Sequence, residues 1–163
     1  MTEKKIVTLP HLQSAVAAHH ARGQKIVFAN GCFDVLHVGH IRYLQGAKAL
    51  GDILIVGVNS DTSMRQIRDA GRPLMAEEAR ARLVAALECV DYVTVFDDMT
   101  VAPLLEALHP DVHAKGTDYT LETVPEREVV RAYGGQVAIV GDPKHHSTHD
   151  VIRRVLDMDG EKN

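Results

Sequence analysis

The 163-residue sequence has no tryptophan, no long apolar run and only two cysteines, Cys32 and Cys89. Two distant thiols do not form a disulfide framework, so we expect a reduced, cytoplasmic protein. The polar residues 1–5 lead into no apolar stretch that could serve as a signal peptide or a membrane span, so we expect no membrane association. The 22 acidic and 18 basic residues give a net charge of -4, and the basic residues are scattered, which predicts no nucleic-acid interface.

The length is that of one domain with one core. Short runs rich in valine and isoleucine with little polar alternation, typical of strands buried on both faces, occur at residues 25–30, 53–58, 92–96, 112–114 and 136–140. Segments with helical spacing alternate with them, at residues 41–50, 77–88, 101–108, 125–133 and 148–156. We predict a single α/β domain over residues 1–163: a Rossmann-like, doubly wound parallel sheet of about five strands, with a leading helix within residues 1–24 and a tail at 157–163.

Polar residues follow the ends of the predicted strands rather than being spread evenly. These groups are Asn30-Gly31 with Asp34, Asn59-Ser60-Asp61, Asp97-Asp98, Lys115-Gly116-Thr117-Asp118 and Gly141-Asp142. In an open parallel sheet the carboxyl ends of the strands lie at one edge, where such folds bind their ligands. The sequence therefore predicts one crevice that collects these side chains.

Two histidines, His37 and His40, stand where the first strand passes into a helix, with Gly39 between them. Their spacing places both rings on one helical face, and a glycine beside the first amides of a helix provides room and partial positive charge for an anion. Capping of the turn is the structural alternative. A metal site would need a third ligand, and we predict no protein-bound metal. A P-loop and a Gly-x-Gly-x-x-Gly turn are both missing, which disfavours a P-loop kinase and a dinucleotide dehydrogenase.

The stretch Gly31-Cys32-Phe33-Asp34-Val35-Leu36-His37-Val38-Gly39-His40 resembles the signature of the cytidylyltransferase-type nucleotidyltransferases, whose His-x-Gly-His element handles a nucleoside triphosphate. The resemblance extends from about Lys25 to Leu156. Further stretches are similar to one branch, the heptose 1-phosphate adenylyltransferases of ADP-heptose synthesis: VGVNSD, RPLMAEEAR, AALECVDYV, HPDVHAKGTDY and GGQVAIV. That branch occurs either fused to a sugar kinase or alone, and we expect the form without the kinase.

The resemblance implies transfer of AMP from ATP to heptose 1-phosphate, which gives ADP-heptose and pyrophosphate. Magnesium would arrive with the nucleotide, no other cofactor is implied, and family members commonly pair as homodimers. Two alternatives stay open. One is a glycerol-3-phosphate cytidylyltransferase-like enzyme that uses CTP, and the other is a catalytically silent nucleotide-binding domain on the same fold.

The resemblance also implies roles for individual residues. The catalytic positions are His37, His40, Lys48 and Arg80. The nucleotide-binding positions are Asn30, Gly31, Phe33, Gly39, Lys115, Gly116, Asp118, Ser147 and Thr148. The substrate-binding positions are Asp34, Asn59 and Lys115. Structural alternatives remain: an exposed helix lysine for Lys48, an i,i+3 pair with Glu77 for Arg80, a turn residue for Asp118 and a loop-holding role for Asp34.

The chain departs from the heptose enzymes at their second phosphate element, which tends to read Ser-Thr-Thr. Here His149 replaces the last threonine, and His145 and His146 precede Ser147. One hydroxyl is lost and titratable donors are gained. This change bears on which nucleotide base is preferred and on how the reaction depends on pH. A metal cluster of the three histidines and a solvated loop are the two interpretations, and the loop is favoured.

Overall fold

Five parallel strands form the centre of the computed structural model, which describes residues 1–143 and 147–160. The strands are β1 (Ile26–Gly31), β2 (Ile53–Asn59), β3 (Tyr92–Phe96), β4 (Val112–Lys115) and β5 (Gln136–Ile139). Their spatial order is β3-β2-β1-β4-β5, and every pair is parallel. The predicted strands are therefore confirmed, with differences of at most one residue at an end.

Helices connect the strands on both faces of the sheet. They are α1 (Leu9–Ala21), α2 (Val38–Lys48), α3 (Asp61–Ile67), α4 (Glu77–Ala85), α5 (Ala102–Leu108), α6 (Arg127–Ala132) and α7 (Thr148–Gly160), after a 3-10 turn at Thr2–Lys5. Helix α3 was not predicted. It begins at Ser60, whose hydroxyl accepts a hydrogen bond from the Ser63 amide at 3.1 Å. Within residues 1–143 and 147–160, no helix combines the length and the apolar character that crossing a membrane requires.

Alternate residues of the strands point to opposite faces of the sheet and build two apolar cores. One core joins the strands to α2 and α4 and includes Val27, Leu54, Val56, Leu44, Ala47, Ala81 and Val84. The other joins the opposite face to α1, α5 and α6 and includes Ile26, Phe28, Ile55, Leu12, Val16, Leu105 and Val130. Because the central strands are buried on both faces, their sequences lack polar alternation. The doubly wound arrangement is confirmed.

Strand β1 is the point at which the chain changes its direction of winding. From β1 the chain moves outward to β2 and β3, and then continues on the other side with β4 and β5. Ala29 of β1 therefore lies between Val56 of β2 and Ala114 of β4. In sheets of this kind a crevice opens at the carboxyl ends of the strands beside such a switch point. The loop from β1 to α2, which carries both histidines, lies at this crevice.

Candidate active site

The two histidines are fixed to each other at the first turn of α2. The Gly39 amide donates to His37 Nδ1 at 3.1 Å, and the His37 amide donates to His40 Nδ1 at 3.3 Å. The rings stack with their centroids 3.9 Å apart. Because each Nδ1 accepts a bond from a backbone amide, the proton of each neutral ring lies on Nε2. The two side chains therefore cap the start of α2 through Nδ1, as the structural alternative proposed. In the neutral rings, this bonding leaves Nε2 of each histidine as an N–H donor.

The loop that leads into the histidines has a strained backbone. Phe33 and Val35 have φ angles of 51° and 60°, in the left-handed region that bulky side chains rarely adopt. The buried Phe33 ring packs edge-on against His40, with centroids 5.3 Å apart. At Gly31 an added Cβ would lie 3.1 Å from this ring, so glycine permits the close approach. Strain of this kind persists where the surrounding structure enforces it, as at ligand sites.

A cleft of about 710 Å³ opens at the carboxyl ends of β1 and β4, in front of the histidines. This volume falls within the range of small-molecule sites, roughly 300–1,000 Å³. All but two of the predicted site residues line the cleft: Asn30, Gly31, Phe33, Asp34, His37, Gly39, His40, Asn59, Lys115, Gly116, Asp118, Ser147 and Thr148. The structure thus brings these side chains together, whereas the ligand that each contacts stays a prediction.

Lys48 lies outside the cleft, so the geometry disfavours the predicted triphosphate contact, which stays a prediction. Its ammonium donates to the Asp52 carbonyl and to Asp91 Oδ2, each at 2.5 Å. Asp91 also accepts from the Leu54 amide, which places the pair at the amino end of β2. Eight residues of helix separate Lys48 from His40, or about 12 Å, and this distance carries the lysine to the opposite edge of the sheet.

Arg80 also lies outside the cleft, and its side chain is completely buried. Its guanidinium donates to the carbonyls of Met75, Cys32 and Asn59 at 2.9, 2.6 and 2.7 Å, and to Asp61 Oδ1 at 2.8 Å. Four of its five N–H donors are therefore used within the protein. This bonding disfavours the predicted phosphate contact, which stays a prediction. Arg80 instead ties the loops after β1 and β2 to the segment before α4.

Asp34 lies in the cleft wall, but its carboxylate is already bonded. It accepts from Arg72 Nη1 at 2.9 Å, from the Leu74 amide at 3.0 Å and from the Met75 amide at 3.0 Å. Burial by itself raises the pKa of Asp34, but the Leu74 amide, Arg72 and the Met75 amide outweigh it and hold the pKa below its usual value. This bonding favours the loop-holding alternative over the predicted contact with substrate.

Asn30 and Asn59 end two neighbouring strands with different bonding. The buried Asn59 donates from Nδ2 to Ser63 Oγ at 2.9 Å. Asn30 Oδ1 lies 3.1 Å from Nε2 of His113, a fully buried ring whose Nδ1 has no partner among the described residues. A proton on Nε2 leaves only a lone pair unbonded at Nδ1, which costs less than an unbonded N–H. His113 therefore donates to Asn30, and the Asn30 amide nitrogen remains as a donor for the cleft.

Lys115 is a buried cation at the end of β4. Its Nζ lies 4.5 Å from the centroid of the Tyr119 ring, within the range of a cation–π contact. Burial lowers the pKa of Lys115, and the carboxylates of Glu126 and Asp118 oppose this shift. Burial, assisted by the charge of Lys115, lowers the pKa of His113 to about 3, so His113 is neutral at physiological pH. His113 was missed because a histidine within an apolar strand resembles any other core residue.

Three arginines without a predicted role also line the cleft: Arg42, Arg68 and Arg72. A side-chain hydrogen bond with Cys32 raises the pKa of Arg68, although burial opposes the shift. Arg42 forms an exposed ion pair with Asp142 at 2.9 Å. Arg68 and Arg72 lie in the irregular segment between α3 and α4. This segment belongs to the connection that leaves the carboxyl end of β2, at the predicted crevice. That position is a signal from which they could have been found.

The start of α7 joins the cleft through Ser147 and Thr148. The Ser147 amide donates to Asp150 Oδ2 at 3.0 Å, and the Asp150 amide donates back to Ser147 Oγ at 3.2 Å. This reciprocal pair resembles a capping box. Thr148 Oγ1 donates to the Asp34 carbonyl at 2.9 Å and so connects α7 to the strained loop.

Metal-binding groupings of histidine, cysteine, aspartate and glutamate do not occur among residues 1–143 and 147–160. His149 lines the cleft. His145 and His146 lie outside the described residues, so their proposed cluster with His149 stays a hypothesis.

The parallel sheet with a His-x-Gly-His helix start at its switch point defines the class, an α/β fold of the nucleotidyltransferase type. The model of the Cytidylyltransferase-like family matches residues 28–156, and the chain belongs to this family.

Two curated relatives carry the name bifunctional protein HldE. The one from Geobacter sulfurreducens is 48% identical over 160 residues, which are 98% of this chain and 33% of the relative. The one from Geobacter metallireducens is 48% identical over 161 residues, which are 99% of this chain and 33% of the relative. The chain thus spans about a third of the length of these relatives.

Two solved structures share the fold with a TM-score of 0.62 each. A lipopolysaccharide core biosynthesis protein from Thermoplasma volcanium is 31% identical and is matched over 76% of this chain and 100% of its own. A pantoate-beta-alanine ligase from Francisella tularensis, complexed with beta-gamma ATP and beta-alanine, is 16% identical and is matched over 88% of this chain and 68% of its own. At that identity the second structure supports the fold alone.

Proposed function

We propose that this chain transfers AMP from ATP to heptose 1-phosphate and releases pyrophosphate, which yields ADP-heptose. The observation that carries the proposal is the stacked pair of His37 and His40, whose Nδ1 atoms are bonded to amides and whose Nε2 atoms are donors. The relatives named HldE and the lipopolysaccharide core biosynthesis protein support the choice of acceptor.

In the proposed reaction, a phosphate oxygen of the sugar phosphate attacks the α-phosphorus of ATP. The bond from the α-phosphorus to the bridging oxygen breaks, and pyrophosphate leaves with that oxygen. The attacking oxygen is already anionic, so no general base is needed. The Nε2–H groups of His37 and His40 and the first amides of α2 stabilise charge that grows on the phosphate oxygens in the transition state.

Cations and hydroxyls of the cleft would position the substrates. Lys115 and Arg68 would supply positive charge for the triphosphate, and Ser147 and Thr148 line the same cleft at the start of α7. Magnesium would enter as MgATP, bound to phosphates rather than to a protein cage. In such transfers, catalysis consists mainly of positioning and charge stabilisation.

The proposal also includes a homodimer and a cytoplasmic location for this protein. Exposed apolar side chains on α7, namely Val155, Leu156 and Met158, offer a surface for a homodimer, which sedimentation analysis would test. Cys32 and Cys89 are both free thiols, which fits a reducing cytoplasm.

Pyrophosphate release by the purified protein with magnesium tests the reaction directly. ATP, CTP and GTP are each combined with heptose 1-phosphate and with glycerol 3-phosphate. We expect turnover with ATP and heptose 1-phosphate. Turnover with CTP and glycerol 3-phosphate would instead establish the cytidylyltransferase alternative. Nucleotide binding without turnover in any combination would contradict the proposed reaction and favour the silent domain.

A further inference from the structure

Glu126 is a buried acid in the cleft wall to which the proposed reaction gives no role. Its side chain is only 7% exposed. Its Oε2 is shielded from solvent and has no hydrogen-bond partner among residues 1–143 and 147–160. Burying a carboxylate oxygen without a partner is unfavourable, and such an atom indicates that a donor is expected from elsewhere.

The backbone holds Glu126 at this position. Val124 and Val130, on either side of it in sequence, are both buried. The Val130 amide donates to the Glu126 carbonyl at 3.0 Å and closes the first turn of α6. Because these apolar anchors lie in the core, the backbone that carries the carboxylate is held beside the cleft. The acid is therefore presented to the cleft by a fixed element.

Among the described residues, the surroundings of Glu126 provide charge but no hydrogen-bond donor for Oε2. The Glu126 carboxylate interacts electrostatically with Lys115 and with Tyr43. The Tyr43 hydroxyl donates its proton to the Ala114 carbonyl at 2.8 Å. Lys115 has its ammonium over the Tyr119 ring. Lys115 therefore offsets the charge of the acid, and Oε2 is left to accept a hydrogen bond from a molecule bound in the cleft.

We propose that Glu126 recognises sugar hydroxyls: its carboxylate accepts hydrogen bonds from the hydroxyl groups of a sugar ring bound beside Lys115. Bonds from hydroxyls to a carboxylate are short and strong, and neighbouring ring hydroxyls can bind both oxygens. The inference rests on the proposed function, in which two sugars enter the cleft. The ribose of ATP and the ring of heptose 1-phosphate share this chemistry, and the experiment separates them.

Calorimetric titration compares ligands with and without the sugar hydroxyls that Glu126 would recognise. In one arm, ATP is compared with 2′-deoxy-ATP and 3′-deoxy-ATP. In the other, heptose 1-phosphate is compared with inorganic phosphate. Because the phosphate contacts are common to each comparison, the ratio of dissociation constants isolates the sugar. In one or the other of these two comparisons, we expect wild type to bind the ligand that carries the hydroxyls with a dissociation constant lower by roughly tenfold or more. A site built for a hydroxyl rejects the analogue that lacks it.

Glu126→Ala is expected to abolish this preference, and Glu126→Gln, which keeps the shape and one acceptor, to reduce it. Loss in the first arm assigns Glu126 to the ribose, and loss in the second assigns it to the heptose. Glu122→Gln is the matched control, because Glu122 is an exposed acid of the same segment. Melting temperatures verify folding, and Glu126→Gln carries the test if Glu126→Ala unfolds.

If the Glu126 variants leave the ratio of dissociation constants unchanged in both comparisons, the inference is overturned. This holds even if every affinity falls, because a uniform loss would mean that Glu126 only supports Lys115. The two proposals can fail separately. If wild type releases no pyrophosphate but its preference for ATP over the deoxy analogues depends on Glu126, the proposed reaction fails and the recognition of hydroxyls stands. If turnover occurs and neither ratio depends on Glu126, only the recognition fails. A wild type that binds neither ATP nor heptose 1-phosphate overturns both.

Discussion

Replacing Arg80 with methionine removes a completely buried guanidinium and leaves behind the acceptors that it serves. The carbonyls of Cys32, Asn59 and Met75 would lose a donor, and the Asp61 carboxylate would lose its counter-ion. An unsatisfied buried polar group costs about 1–3 kcal/mol, and breaking a buried ion pair costs about 3–5 kcal/mol. Because Asp61 is 24% exposed, water can solvate part of its charge. We therefore expect a loss of about 3–5 kcal/mol in the free energy of unfolding.

Thermal and urea unfolding, followed by circular dichroism, would measure this loss. For a domain of this size each kcal/mol lowers Tm by about 2–4 °C, so the expected decrease is about 6–20 °C. Arg80→Lys should also destabilise, because one ammonium cannot reproduce the fork of donors. Arg82→Met is the matched control: Arg82 is 54% exposed and forms surface ion pairs with Glu78 and Glu3, so its loss should cost at most about 1 kcal/mol.

ATP affinity, measured on folded protein well below the transition, separates the structural role from a phosphate contact. Arg80 lies outside the cleft, so folded Arg80→Met should bind ATP almost as tightly as wild type. A variant that melts within about 2 °C of wild type and binds ATP at least about tenfold more weakly would refute the structural assignment. That result would return Arg80 to the triphosphate.

Three further outcomes are expected. His40→Ala should lower kcat about 10²–10³-fold and change the Kd for ATP far less, because its Nε2–H acts in the transition state; equal losses would contradict this role. The folded pKa of His113, about 3, lies below the ordinary value near 6.5, so the unfolded chain binds more protons between these values. Stability should therefore fall as the pH drops from about 6.5 towards 4, and unfolding midpoints should show a shallower fall for His113→Asn. Lys48→Met should lower Tm by a few degrees without weakening ATP binding, whereas Lys115→Met should weaken it; similar losses of affinity would place Lys48 in the site after all.

The strands and the crevice could be predicted because their signals are local. A strand buried on both faces needs apolar residues at every position, so β1 and β2 are visible as uninterrupted runs. Because the carboxyl ends of parallel strands lie at one edge of the sheet, polar residues such as Asn30, Asn59 and Lys115 are predicted to lie close together, however distant they are in sequence. Helix α3 has seven residues, which are too few to show the repeat of apolar residues that is typical of a helix. Only Ser60, which caps it, indicates where it begins.

The internal bonding of Lys48 and Arg80 could not be predicted because their partners are distant in sequence. Lys48 bonds to Asp91, 43 residues away, and Arg80 bonds to Cys32, 48 residues away. Residue type alone cannot separate a lysine or arginine that binds phosphate from one that fastens loops. The length of α2 alone would have placed Lys48 far from the histidines, because a helix that starts at the carboxyl edge of a parallel sheet ends at its amino edge.

The degree to which a charged group is bonded within the protein separates structural residues from candidate site residues better than residue type or burial. Arg80 and Asp34 are both buried, and each has nearly all of its hydrogen-bonding capacity filled by backbone groups and side chains. Glu126 is also buried, yet its Oε2 has no partner in the described part of the chain. A ligand that supplies the donor would offset the unfavourable burial of such an oxygen. The first two residues therefore shape the β1–α2 loop, and Glu126 is the acid that a ligand should satisfy.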